Sequence, residues 1–260
     1  MTVLSKTNRI LWLAILMGSM TAAPLFAQTD AETSAPKIAP SSPQEMGTPD
    51  TRSTSGGDYK WPGIALGAKI GTLGLGGDLT IGLFEVFNIR GGVNYANFSF
   101  NGTVRDIKYN YGVDYLSFPI LADIHPFRNN FRISAGVLLN QDNKVKLDAA
   151  PNKNVTIGDD EYTPAQIGIL NGTIKFTRNA APYVGIGFGN AVKEDTSWSF
   201  IFDLGVVFQT YDVELTSRGG TMSDNPAFLL NLAKEEADVQ DDFDKFEIYP
   251  VLSFGVGYHF

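Results

Sequence analysis

In the stretch WSFIFDLGVVFQTY, Trp198, Phe200, Phe202, Leu204, Val206 and Phe208 share one parity, while Ser199, Asp203, Gly205, Gln209 and Tyr211 share the other. A two-residue period puts these sets on opposite faces of a strand, one suited to an apolar environment and one to a polar environment. The chain closes in the same way. Ile248, Leu252, Phe254, Val256, Tyr258 and Phe260 alternate with Glu247, Tyr249, Ser253, Gly255, Gly257 and His259 up to the final residue. The edge strand of a soluble sandwich would leave this apolar ribbon beside a row of unpaired backbone groups. In lipid no such edge is tolerated, and a sheet satisfies all of its backbone groups only by closing on itself. The sequence therefore predicts an all-β fold, an antiparallel transmembrane β-barrel with lipid against its outer wall and polar side chains within.

Period-two patterning begins after Trp61 and marks eight segments. The first two, Gly63 to Gly71 and Gly76 to Phe84, are joined by a tight glycine turn. The third is NIRGGVNYANFSF and the fourth YLSFPILADI, with the polar NGTVRDIKYN between them. FRISAGVLLNQDNKVKL forms the fifth, GTIKFTRNAAPYVGIGFG the sixth, WSFIFDLGVVFQTYDVEL the seventh, and Phe246 to Phe260 the eighth. A tilted membrane strand needs about 9–11 residues, which each segment supplies. Connections after the second, fourth and sixth segments are short (EVF, PFRNN, KEDTS), and those after the third, fifth and seventh are long and polar. Short periplasmic turns and long outer loops have this asymmetry. Trp61, Phe84, Phe127, Phe131, Trp198 and Phe260 fall near the short-turn rim, as an interfacial aromatic girdle requires.

Ahead of the barrel, Lys6 and Arg9 precede ILWLAILM and a run of small residues, the pattern of a secretory signal over residues 1–27 with cleavage expected after Ala27 or Ala23. The apolar run is too short for a spanning helix, which needs about 20 residues. Residues 28–58, rich in Ser, Thr, Pro, Ala and Asp, have the composition of a disordered periplasmic linker. The barrel is expected over 59–260. No cysteine occurs, which excludes a disulfide framework and a thiolate metal site. The chain carries a formal net charge of −8 and its leader contributes only basic residues, so the mature protein is more acidic still, which argues against nucleic acid as a partner.

Following the alternation inward gives Lys69, Arg90, Arg132 and Lys175 against Asp78, Asp123, Asp203 and Glu247. The signs balance. A lumen of eight strands is about filled by its own side chains, so these charges form either a paired plug or a constriction that selects small solutes. In the last long loop Asn225 can cap a helix with Pro226 at its first position, running to about Val239. Glu235, Glu236, Asp238, Asp241, Asp242 and Asp244 make its tail acidic, an extracellular mouth that could raise local cation concentration or remain a solvated face. DDFD lacks the glycine and spacing of a calcium loop. GIGFGN lies inside a strand, where its glycines relieve crowding rather than cradle a dinucleotide. His125 and His259 fall near the short-turn rim, and no Ser, His and acid arrangement supports an enzyme. Neither a cofactor nor a bound metal is expected.

GAKIGTLGLGGDL, LADIHPF, VTIGDDEYTPAQIG, APYVGIGFGN and FDKFEIYPVLSFGVGYHF together resemble the CarO-type outer-membrane proteins, and more loosely the OmpW and OmpA-like small barrels. The resemblance implies an eight-stranded barrel in the outer membrane of Gram-negative bacteria. It also implies proposed passage of small solutes, basic amino acids included, and a link to carbapenem susceptibility. Terminal Phe260, with Tyr258 two residues earlier, looks like the signal read by the barrel-assembly machinery. The expectation is a monomeric barrel among outer-membrane lipid and lipopolysaccharide, either a narrow passive channel for small cationic or zwitterionic solutes or a non-conducting structural or surface-interaction barrel.

Overall fold

The computed structural model describes residues 63–104, 107–192, 197–245 and 247–260. The signal, the linker, Trp61, Phe246 and most of the KEDTS turn lie outside the described residues. The strands are β1 (Ile64–Gly71), β2 (Gly74–Phe84), β3 (Phe87–Val104), β4 (Ile107–Ile124), β5 (Phe131–Asn140), β6 (Lys144–Ala150), β7 (Val155–Ile157), β8 (Asp160–Tyr162), β9 (Gly168–Phe176), β10 (Ala180–Phe188), β11 (Trp198–Phe208), β12 (Tyr211–Gly219) and β13 (Ile248–His259). Between them lie a single-turn helix α1 (Pro164–Ile167) and a longer helix α2 (Pro226–Asp244).

Eight strands close a ring through antiparallel pairings: β1 to β2 to β3 to β4 to β5 to β10 to β11 to β13 and back to β1. Closure is made by β13, paired with β1 from Ala65↔His259 to Gly71↔Ser253 and with β11 from Trp198↔Tyr258 to Phe208↔Ile248. Even the last residue takes part, because the Phe260 N–H donates to the Ile64 carbonyl at 3.1 Å. The tight turn between β1 and β2 ends on Gly74 at φ +91°, where a Cβ would also strike the Tyr95 carbonyl.

From the short-turn rim up to the level of Leu116, every outward strand position of the ring is uncharged. Leu66, Leu79, Ile120, Ile133, Ile186, Leu204 and Phe254 are among the exposed apolar side chains that form the belt. Exposed Phe84, Phe127, Trp198 and Phe260, with Phe131 half-buried, line the short-turn rim as predicted.

Above the belt the fifth, sixth and seventh predicted segments each break: at residues 141–143 between β5 and β6, 177–179 between β9 and β10, and 209–210 between β11 and β12. The ring strands on the belt side of the breaks hold 10, 9 and 11 residues, the length a tilted strand needs to cross a bilayer. Beyond the breaks the wall continues as a sheet in the order β3, β4, β6, β9, β12. Within NGTVRDIKYN, expected as a loop, residues 101–104 and 107–110 form the tops of β3 and β4.

This extension has an inner core of its own. Asn225 caps α2 by accepting from the N–H groups of Ala227 and Phe228, and the helix continues past Val239 to Asp244. Its Phe243 packs against Tyr211 at 5.5 Å between ring centres. Ile157, Tyr162, Ile167, Phe228 and Leu232 join β7, β8, α1 and α2 in a second cluster. The helix expected as the single one in the last loop is thus accompanied by α1, and the long connections after the fifth and seventh segments are folded.

Candidate functional site

The lower half of the barrel interior is an ionic layer. Arg90 points inward from β3, its Nη1 3.1 Å from Asp203 and its Nη2 3.2 Å from Asp123. Its Nε lies 3.1 Å from the other Asp123 oxygen, an ion contact rather than an aligned hydrogen bond. Arg132 reaches Asp203 at 2.6 Å and also bonds the Gly189 carbonyl. Lys69 pairs with Asp78 at 2.8 Å, and Arg90 stands 3.8 Å from the same carboxylate. Ser134 donates to Asp123 at 2.5 Å and Ser253 to Asp203 at 3.3 Å. Six of the eight predicted lumen charges therefore meet as a balanced network with side chains at most 11% exposed. Burial at this level demands such pairing, because an uncompensated ion in a narrow interior is costly.

Above the ions the interior turns apolar, which corrects the expectation of a polar lumen throughout. Leu121, Leu138, Tyr183, Val207 and Val251 are buried there, followed by Tyr111, Tyr115, Phe176 and Tyr249. Tyr115 and Tyr249 meet Phe176 in edge-on contacts, and the Tyr249 hydroxyl donates to the Thr72 carbonyl at 2.9 Å. The Tyr183 ring lies over Gly185 and Gly205, where an added Cβ would stand 2.4 and 2.5 Å from its hydroxyl. Of the glycines of GIGFGN, Gly185 serves this packing, whereas Gly187 makes room for the Arg132 guanidinium and Gly189 for the Phe200 carbonyl. Two voids beside the column, both lined by Lys69, Leu73, Asn94, Val251 and Ser253, are each about 20 Å³, room for about one water.

Two predicted lumen residues lie elsewhere. Lys175 stands on the outer face of β9, 2.8 Å from Glu214, because the break at 177–179 reverses parity: β10 buries Ala181 and Tyr183, whereas β9 buries Ile174 and Phe176. The hydrogen bond between them holds the Glu214 carboxyl below its ordinary pKa and raises that of Lys175, with the opposite charge second in each case. Glu247 precedes β13 and is exposed, its carbonyl accepting from the Gln209 N–H at 2.7 Å.

The acidic tail is also divided. Glu235 is buried and accepts from the Gly158 N–H at 3.5 Å, and Glu236 accepts from the Leu215 N–H at 2.7 Å. Asp242 pairs with Lys245, Asp244 accepts from Gln240, and Asp238 and Asp241 are exposed. A helix that must hold a neighbouring sheet turns some of its acids inward, so these six do not form one mouth. His125 is buried beyond the end of β4 and His259 half-buried at the end of β13.

The residues that hold the extension to the barrel were not predicted. Asn140, Asn143 and Gln209 are buried at the level of the breaks. Asn143 accepts from the Leu116 N–H at 2.7 Å, and Asn140 donates to the Arg178 carbonyl at 2.9 Å and to Gln209 at 3.2 Å. Their side chains replace ladder bonds that the broken strands forgo. At the free edge of β12, Gln240 accepts from the Val213 N–H at 2.8 Å and donates to the Tyr211 carbonyl at 2.9 Å. Helix side chains thus complete a strand edge. The polar groups NQDN, TRN and QT, recurring 9 to 11 residues from the short turns, were the available signal.

No family model matches the sequence, and no curated protein matches it. Among solved structures, CarO2 of Acinetobacter baumannii superposes with a TM-score of 0.59 at 23% identity, over 76% of this chain and 98% of that one. CarO of the same organism gives 0.58 at 21% identity with the same coverage. The likeness is one of fold: the chain has the architecture of the CarO-type outer-membrane β-barrels.

Proposed function

We propose that the protein is an outer-membrane barrel with a sealed interior, a non-conducting structural or surface-interaction barrel whose working part is the folded extension above the belt. The observation that carries this reading is the stack of two closed layers, the ionic network around Arg90 and the aromatic packing around Tyr183 and Tyr249. Displacing either costs buried contacts, so free diffusion of a solute finds no path. On this reading Phe260 and Tyr258 serve recognition by the assembly machinery. The short turns face the periplasm and the extension faces outward among lipopolysaccharide.

A second reading keeps the narrow passage. The two water-sized voids share one wall near Lys69 and Leu73, beside the β1–β2 turn where the rim is lowest. Planar-bilayer recording of the refolded protein separates the two. Absence of single-channel steps in the wild type, with steps arising only when Arg90 or Tyr183 is truncated, is the expected result. Steady cation-selective conductance in the wild type that rises with Lys69→Met, which removes a positive charge from the wall and frees Asp78, would establish the passage instead.

A further inference from the structure

The outer face of the extension carries a pattern that a sealed barrel leaves unexplained. Directly across neighbouring strands, Asp114, Lys144, Lys175 and Asp212 occupy one row, and Gly112, Lys146, Thr173 and Glu214 the next. Two lysines are therefore opposed, with a third two residues along the same face. Like charges directly opposite each other destabilise a sheet. Asp114 is 3.9 Å from Lys144 and Glu214 is 2.8 Å from Lys175, whereas exposed Lys146 has no ion-pair partner among the described residues.

The position of the cluster narrows its purpose. Leu116 is the last outward apolar residue of β4, and Asp114 lies about 7 Å further along the strand. The lysines thus stand immediately above the apolar belt, at the height of lipid head groups. No outward position of the ring below carries a charge. Above them an open cleft of about 550 Å³ is lined by Asn101, Lys108, Asn110, Asp148, Ile169 and Arg218. Arg218 is 3.8 Å from Asp148, which also accepts from Asn171 at 2.5 Å. Amide groups and two cations suit sugar hydroxyls and further phosphates.

We propose that this face docks the phosphorylated saccharide head group of outer-leaflet lipopolysaccharide, with Lys144, Lys146 and Lys175 at the phosphates nearest the acyl chains and the cleft receiving the sugars beyond. Phosphate beside Lys146 supplies the counter-charge that the described residues do not, while Lys144 and Lys175 are held near it by their own carboxylate partners, and the belt beneath holds the acyl chains. The inference rests on the reading as an outer-membrane barrel.

The test uses the refolded full chain in detergent, titrated with deep-rough lipopolysaccharide carrying both lipid phosphates and with the same lipid after phosphatase treatment. Binding is read by native mass spectrometry, and folding by circular dichroism and heat-modifiable gel mobility. Wild type is expected to favour the phosphorylated lipid. The K144Q/K146Q/K175Q variant should lose about a hundredfold in affinity and K146Q alone about fivefold. K234Q/K245Q, on α2 and at its C-terminal cap, should bind as wild type does. K146Q carries the test should the triple variant fail to fold. Equal binding of the dephosphorylated lipid, or unchanged binding by a folded triple variant, overturns the site while leaving the barrel intact. Failure of the wild type to insert into vesicles would instead overturn the barrel reading.

Discussion

The side-chain oxygen of Asn143 accepts the Leu116 N–H at 2.7 Å, where β4 passes from its partner β5 to its partner β6. The Asn143 amide group donates to Asn140 at 3.2 Å, and its backbone carbonyl accepts from the Phe176 N–H at 2.9 Å. One residue therefore bridges three strands at the level where the belt ends. Asn143→Leu keeps the volume but leaves a buried N–H without an acceptor, at a cost of about 1–3 kcal/mol. A urea titration of the refolded protein in detergent should show a lower midpoint. An unchanged midpoint would mean that the seam is held by the backbone alone.

Arg90 faces three carboxylates, and Asp203 answers it together with Arg132. Arg90→Met strands buried negative charge and should cost about 3–5 kcal/mol, the usual penalty for breaking a buried ion pair from one side. Lys175→Met, on an exposed pair, should cost at most about 1 kcal/mol. Heat-modifiable mobility on gels would rank the two. Equal loss for both would contradict the assignment of Arg90 to the interior and Lys175 to the outer face.

Gly205 tests the packing of the upper layer. A Cβ there would lie 2.5 Å from the Tyr183 hydroxyl and 2.6 Å from its Cζ, so the ring must move into space already filled. Gly205→Ala should destabilise by about 1–3 kcal/mol through overpacking. Tyr183→Leu, which shortens the side chain, should recover most of that loss in the double variant, measured as a double-mutant cycle. Strict additivity of the two changes would show that they do not touch.

The barrel was readable because lipid imposes a single rule on the outer wall, and Trp198 to Phe208 obeys it at every second residue. The extension was misread at Lys175 for the same reason. In TIKF the alternation is as regular as in the belt, yet its meaning is reversed: water lies outside and the core inside, so Ile174 and Phe176 turn inward and Lys175 outward. A periodicity states that two faces differ but not which solvent each one meets. Six of the eight predicted lumen charges belong to the ionic layer because those six lie within the belt. Glu247 failed because its segment starts later than its alternation. The pairing of Glu236 and Gln240 with an edge strand depends on contacts between elements remote in sequence, which no local pattern encodes.

That edge gives a prediction about motion. The N–H groups of Val213 and Leu215 are satisfied by Gln240 and Glu236 of α2, and Phe243 sits against Tyr211 beside them. Should the helix lift, those two amides meet water while the rest of the ladder to β9 stays closed. Removing either side-chain acceptor by Gln240→Ala or Glu236→Ala should speed exchange of the matching amide about five- to tenfold, the effect of losing one modest hydrogen bond. Amides of β11, on the belt side of the break, should be unaffected. Hydrogen exchange read by mass spectrometry or NMR would resolve this. Uniform acceleration through β11 and β12 would mean that extension and barrel open as one unit, and that the break at 209–210 does not separate them.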